Sequence, residues 1–202
     1  LRGLELDYES SRERHRLERQ EIARAIGYYA GMPWEPERLD SMVEALLAEY
    51  ERRGYPNTQV EAEIEPSLTD PEAVSLRLRI NEGRGIRIHR LNFEGELGLE
   101  ELELRRACEL DRGDIFDQAT LEEDIERLIE LYRNEHYFEV RIDTPQIEEV
   151  EPDRRGRRQV RVTIPVNPGD HYEVAIIGND GITDERLLEI MRITEESELT
   201  PS

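Results

Sequence analysis

The chain repeats itself, and this restricts its possible folds more than any other feature of the sequence. Laying Gly31 on Gly113, an offset of 82, brings residues 17–64 onto residues 99–146 without a gap. Leu17, Ile22, Ala25 and Ile26 then meet Leu99, Leu104, Ala107 and Cys108. Trp34 meets Phe116, and Tyr55 meets Tyr137. Leu39, Val43, Leu46, Leu47 and Tyr50 meet Leu121, Ile125, Leu128, Ile129 and Tyr132. Past Ile64 one turn has lengthened. Val74, Leu76, Leu78 and Ile80 correspond to Val160, Val162, Ile164 and Val166 at an offset of 86. Asn81-Glu82-Gly83 and Asn167-Pro168-Gly169 close the two copies, and Leu91-Asn92-Phe93-Glu94-Gly95 reappears as Val174-Ala175-Ile176-Ile177-Gly178. The expected organisation is a first module over 1–83, a second over 84–169 and the start of an incomplete third over 170–202.

The apolar spacing says what each module contains. Leu121, Ile125, Leu128, Ile129 and Tyr132 recur at helical intervals and share one face. Asp117 is placed to cap that helix, and Glu122, Glu123 and Asp124 suit its positive end. In the first copy Pro36 falls where the first helical residue should be, and Gly54 ends the helix. A shorter helix precedes each long one, carrying Ile22, Ala25 and Ile26 or Leu102, Leu104, Ala107 and Cys108, and Gly31 and Gly113 are expected to end it. Strands follow with a period of two: Val60, Ala62 and Ile64, then Val74 to Ile80; in the second copy Val140 and Ile142, then Val160 to Val166. Residues 66–71 and 150–158 read as the hairpin loops. A leading strand opens each module. In the second it is Ile86–Phe93, whose apolar set slips register near His89-Arg90 and predicts a bulge there. In the first, either Leu1-Arg2-Gly3 is the tail of that strand or Leu4–Tyr8 is the strand itself. Pro165 sits badly in a strand expected to be central, since proline donates nothing to a ladder; it belongs at a fraying end or beside a bulge. The expected fold class is α+β: tandem β-α-α-β-β modules, each a three-stranded mixed sheet packed under two helices.

Composition removes several functions. Asp and Glu number 48 against 27 Lys and Arg, a net charge of −21, which argues against a nucleic-acid or anionic-membrane partner. One cysteine, Cys108, allows no internal disulfide, and with four scattered histidines it offers no metal-ligand spacing. Cys108 lies on an apolar helix face and reads as core, and Trp34 and Phe116 read as core plugs. No phosphate loop or nucleophile elbow is present, and no pair of carboxylates stands out, so no catalytic residue, metal or cofactor is expected. No apolar run approaches the ~20 residues that span a bilayer. The chain begins at Leu1, without Met, and reads as a piece of a longer protein.

Taken in order, these residues resemble the POTRA domain family. Its pattern of a short helix, a Gly, an aromatic, an amphipathic helix ending in Tyr, then Gly-Tyr and a strand is met by Gly31-Met32-Pro33-Trp34, Tyr50 and Gly54-Tyr55. The second copy has Gly113-Asp114-Ile115-Phe116, Tyr132 and His136-Tyr137, with His136 in place of the Gly. The resemblance covers nearly the whole chain. It implies the periplasmic arm of a BamA-like or TamA-like outer-membrane protein of a Gram-negative bacterium, joined to the membrane only through a C-terminal β-barrel that this chain lacks. It implies no chemistry. The partners implied are unfolded outer-membrane proteins or a secreted substrate, with assembly lipoproteins or an inner-membrane protein besides. Clients would add as an extra strand along the second strand of each module, Asn57, Gln59, Glu61 and Glu63 in the first and Tyr137, Phe138, Glu139, Val140, Arg141 and Ile142 in the second. Glu61, Glu63 and Glu65 pointing outward also look like a guard against such pairing. Gly83, Gly85, Pro168 and Gly169 read as inter-module hinges.

Overall fold

Leu76, Leu78 and Ile80 in one copy and Val160, Val162, Ile164 and Val166 in the other are all buried, and each set lies on a strand flanked on both sides. A computed structural model describes residues 1–8, 17–66 and 73–173. The first module comprises β1 (Gly3–Tyr8), α1 (Arg19–Ala25), α2 (Arg38–Arg52), β2 (Gln59–Pro66) and β3 (Val74–Asn81). The second comprises β4 (Arg87–Glu94), α3 (Glu101–Ala107), α4 (Gln118–Asn134), β5 (Arg141–Ile142), β6 (Gln146–Val150) and β7 (Gln159–Asn167). β3 pairs in parallel with β1 and antiparallel with β2. β7 likewise pairs in parallel with β4, and antiparallel with β5 and β6 in succession. One face of each sheet carries the apolar residues and the helices. The class is α+β, as the periodicities require, with a separate hydrophobic cluster in each module. The third-module start at Val174–Gly178 and the loop over 67–71 lie outside the described residues.

Two open points of the sequence close here. The first leading strand is Gly3–Tyr8, with Leu4 against Leu76. His89 is the extra residue of a bulge, because Ile88 pairs with Val160 and Arg90 with Arg161. Pro165 is also explained. Ile142 pairs with Val166 and Gln146 with Thr163, so three residues of the edge face two of β7, and Asp143 N–H reaches the Pro165 carbonyl at 3.1 Å. The ladder breaks where Pro165, and Pro145 just ahead of β6, have no N–H to give.

Several expectations are corrected. Gly31 and Gly113 do not end the short helices, which stop at Ala25 and Ala107. Their left-handed backbone (φ 86° and 98°) turns the linker back along the leading strand instead. Gly31 N–H donates to Leu1 O and Gly113 N–H to Ile88 O, both at 2.8 Å. Pro36 lies ahead of α2, whose cap is Glu37. Leu102 faces solvent, because α3 is too short to bury a second apolar row. Asp124 is fully buried: its carboxylate accepts the Glu109 and Leu110 backbone N–H groups at 2.6 and 3.0 Å and pairs with Arg127, fastening the α3–α4 linker to α4. Asp117 caps α4 as expected, accepting from Thr120 N–H at 3.1 Å.

The long helices end alike on unlike residues. Tyr55 N–H returns to Tyr50 O at 2.8 Å, and Tyr137 N–H to Tyr132 O at 2.9 Å. The left-handed residue between them is Gly54 (φ 83°) in one module and His136 (φ 64°) in the other. A Cβ at Gly54 would fall 2.1 Å from Phe116 O. Gly54→Ala is therefore expected to cost roughly 2 kcal/mol or more, while His136→Gly gains about 1 kcal/mol by removing the left-handed penalty. Urea unfolding midpoints of the two variants, moving in opposite directions, check this.

Candidate strand-docking edges and the inter-module joint

Each sheet leaves a strand of backbone N–H and C=O groups facing no other strand among the described residues. In the first module this is β2, with Gln59 opposite Asn81, Glu61 opposite Arg79 and Glu63 opposite Arg77. Asn57 lies in the turn before it. Val60, Ala62 and Ile64 face the core and are half-buried against it. The outward acids are partly neutralised by the central strand: Arg79 meets Glu63 at 3.3 Å, and Arg77 meets Glu65 at 2.5 Å and Glu5 at 2.6 Å. Exposed pairs of this kind contribute about 0–1 kcal/mol each, so they tune the edge more than they hold the fold.

The second edge lies elsewhere than the alternation suggested. Among the expected residues only Arg141 and Ile142 are in a strand; Tyr137, Phe138, Glu139 and Val140 form the turn leading to it. The longer part of the edge is β6, which had read as loop from Val150 onward and was not recognised before it. Ile147 lies directly opposite the fully buried Val162, hence on the core side of the sheet, yet it is 47% exposed. It is an exposed apolar side chain beside an open edge. Glu148 and Glu149 are tied to Arg161 at 3.1 Å and Arg158 at 2.7 Å.

The two modules meet in a filled joint. Ile115, from the linker before α4, is buried in the first module's cluster. Gly85, expected as a hinge, is closed in: a Cβ there would come within 2.7 Å of Ile115 and 3.3 Å of Tyr55. Ile86 N–H donates to Gly54 O at 2.8 Å, and Phe116 N–H to Ile86 O at 2.9 Å. Gly83 (φ 71°) and Gly169 (φ 70°) each turn on an Asn side chain, their N–H groups donating to Asn81 and Asn167 at 3.2 and 3.1 Å. Pro168 is buried. Arg53 crosses the joint, reaching Glu21 at 3.0 Å, Glu49 at 3.1 Å and Asp117 at 3.2 Å. Burial works against its charge, but the hydrogen bond to Glu49 and the nearby Asp117 and Glu21 outweigh it and raise the guanidinium pKa. A cleft of about 390 Å³ lies beside this cluster, lined by Leu17, Tyr50, Arg53, Tyr55 and Asp117 among others. No sequence pattern announced Ile115 or the Arg53–Asp117 pair, because each joins residues of different modules.

Nothing in the described residues gathers catalytic chemistry. No group of His, Cys, Asp and Glu among them is placed to hold a metal ion. Cys108 is half-buried, and burial first, then the Asp124 charge, pushes its thiol up to about 12. Trp34 and Phe116 are half-buried at the margins of their own clusters.

Two α+β modules of the same topology, in tandem and joined through a packed interface, define a modular repeat architecture. The POTRA family model, described as surface antigen variable number repeat, matches residues 11–83 and 86–169, and the chain belongs to that family. It is 25% identical over 156 residues to the outer membrane protein assembly factor BamA of Neisseria meningitidis serogroup B, which covers 73% of this chain and 19% of that protein. The chain thus spans about a fifth of that relative. Among solved structures it is similar to BamA POTRA3-5 of Haemophilus influenzae (14% identity, 93% of this chain and 75% of that one, TM-score 0.41). It is also similar to POTRA1-2 of the Anabaena Omp85 periplasmic domain (16%, 85% and 96%, TM-score 0.39) and to CdiB from Escherichia coli (21%, 86% and 27%, TM-score 0.34). POTRA modules of BamA-like proteins are periplasmic scaffold modules, and membership places this chain in the periplasm. No helix among the described residues is long and apolar enough to cross a membrane.

Two outcomes follow. A double-mutant cycle of Arg53→Met and Asp117→Asn, which keeps the α4 cap, is expected to show about 0.5–1 kcal/mol of coupling in thermal unfolding; below ~0.2 kcal/mol the joint would rest on its apolar contacts and backbone hydrogen bonds. With its thiol pushed up to about 12, Cys108 should react with a thiol reagent at pH 8 about a thousandfold slower than in the urea-unfolded chain. The folded thiol holds its proton more tightly than the unfolded one, so its contribution to stability is intact below about pH 8.5 and declines as pH rises toward 12.

Proposed function

We propose that this chain is part of a periplasmic arm that holds extended segments of unfolded outer-membrane proteins by adding them as a strand to its free sheet edges, and scaffolds partner proteins for their insertion. No catalytic step belongs to this role. Backbone pairing suits clients of varied sequence, because the ladder reads N–H and C=O groups and leaves selectivity to shallow side-chain pockets.

The observation that carries the reading is the β6 edge. Its outward backbone is open, its two acids are occupied by Arg158 and Arg161, and Ile147 sits exposed on the core side of the sheet. A client strand laid beside β6 would place an apolar side chain over Ile147. β2 offers the same backbone, but its core side is already covered and its outer side is acidic. It is the weaker edge for an uncharged client, and Gln59, Glu61 and Glu63 would take part only through backbone pairing.

Titration with a peptide copied from an outer-membrane β-barrel strand, followed by backbone NMR, tests this. Shifts are expected at Gln146–Val150, and Ile147→Asp should weaken binding about tenfold, the ~1.4 kcal/mol of a lost apolar contact. An unchanged spectrum at about 1 mM peptide would remove client docking for this chain. A response only to peptides from secreted substrates would move the role to a secretion transporter.

A further inference from the structure

The second module ends in a copy of the joint that closes the first, and the differences between the copies are specific. Ile86 N–H meets Gly54 O at 2.8 Å, and its counterpart Tyr172 N–H meets His136 O at 3.0 Å. The backbone frame is therefore repeated. The parts that interlock are not. Gly54 becomes His136 and Arg53 becomes Glu135 at the offset of 82, and Gly85 becomes His171 at the offset of 86. Laying Gly95 on Gly178, an offset of 83, puts Glu198 where Ile115 stands and Thr200 where Asp117 stands.

Each change takes away a residue type that the first joint uses. The first joint needs an approach to Gly54 that leaves no room for a Cβ. It needs the space over Gly85 that Ile115 fills. At the second, the His171 ring occupies that space, lying 4.9 Å from the Tyr137 ring and 6.2 Å from the His136 ring. Arg53–Asp117 has no counterpart in Glu135 and Thr200. What remains is an aromatic face: Phe138 and Tyr172 stand 5.8 Å apart, 43% and 39% exposed, whereas Tyr55 in the closed joint is 2% exposed. The described chain leaves the second module at this face.

We propose that the face formed by Tyr137, Phe138, His171 and Tyr172 is the seat of the module that follows in the same chain, held through side-chain aromatic contacts in a joint that cannot interlock as the first does. The proposal rests on the reading that the chain continues into another module. The first two modules then move as one body, and the arm bends after Gly169. The bend lies past Gly169, because Pro168 is buried and Gly169 packs against Glu139, and Gly83 and Gly85 are held within the rigid pair.

Residual dipolar couplings and amide shifts of the full chain test this. One alignment frame is expected to fit both modules. Phe138→Ser combined with Tyr172→Ser, both at exposed positions, should shift amide signals from Val174 to Ser202 and leave those of Ile115 and Asp117 unmoved. Ile115→Ser should split the common frame in two. Three results overturn the proposal: unmoved signals beyond Val174, separate frames for the two modules in the unaltered chain, or Phe138 and Tyr172 signals that depend on protein concentration, which would make a second copy the occupant. The readout excludes Gln146–Val150, so failure of client docking and failure of this seat are distinguishable.

Discussion

A three-stranded sheet has one strand with neighbours on both sides, and everything in each module depends on that strand. β3 and β7 bury their apolar residues under one short and one long helix, with a parallel neighbour on one side and antiparallel pairing on the other. The arrangement is small enough that the outer strands cannot all be covered. Part of the exposure is managed within the module: the Gly31 and Gly113 linkers turn back and pair with the start of each leading strand. The opposite edge is left with charges instead of a covering strand. Open edges are thus a result of module size.

Charge follows the same geometry. Each central strand carries arginines on its solvent face, Arg77 and Arg79 or Arg161, and the flanking strands carry acids that lean onto them. The excess of acid lies on outer strands and helix surfaces, where water screens it, and the fold rests on the apolar face. Among the described residues Glu82 and Asp124 are the buried exceptions, and Asp124 is the one that fastens a linker. There a carboxylate replaces the buried Met42 of the first module and holds backbone N–H groups in place of packing.

The parts of the fold legible in the sequence are those with a local period. The helices, the central strands and the bulge at His89 all alter the spacing of apolar residues within a few positions. Asp124 was not legible, because an acid in a run of acids reads as solvated until the linker above it is placed. Tyr137 to Val140 misled because Val140 and Ile142 alternate like a strand, while β7 ends at Asn167 opposite Arg141, so Pro168, far along the chain, is all that Val140 would face. Ile115 lay in a motif whose aromatic neighbour attracted attention, and its burial depends on a module it does not belong to. Of the candidate site, the β2 edge followed from periodicity, while β6 required knowledge of the pairing.

The break opposite Pro165 sets a length. β6 offers five residues before the ladder is interrupted, which at ~3.4 Å per residue is about 17 Å of continuous pairing. A polypeptide lying there can engage only a short stretch at a time and gains little by extending further. Such a foothold would give brief residence, favouring passing a chain along over retaining it, and on this edge two copies of the protein find no long, flat margin along which sheets fuse into fibres.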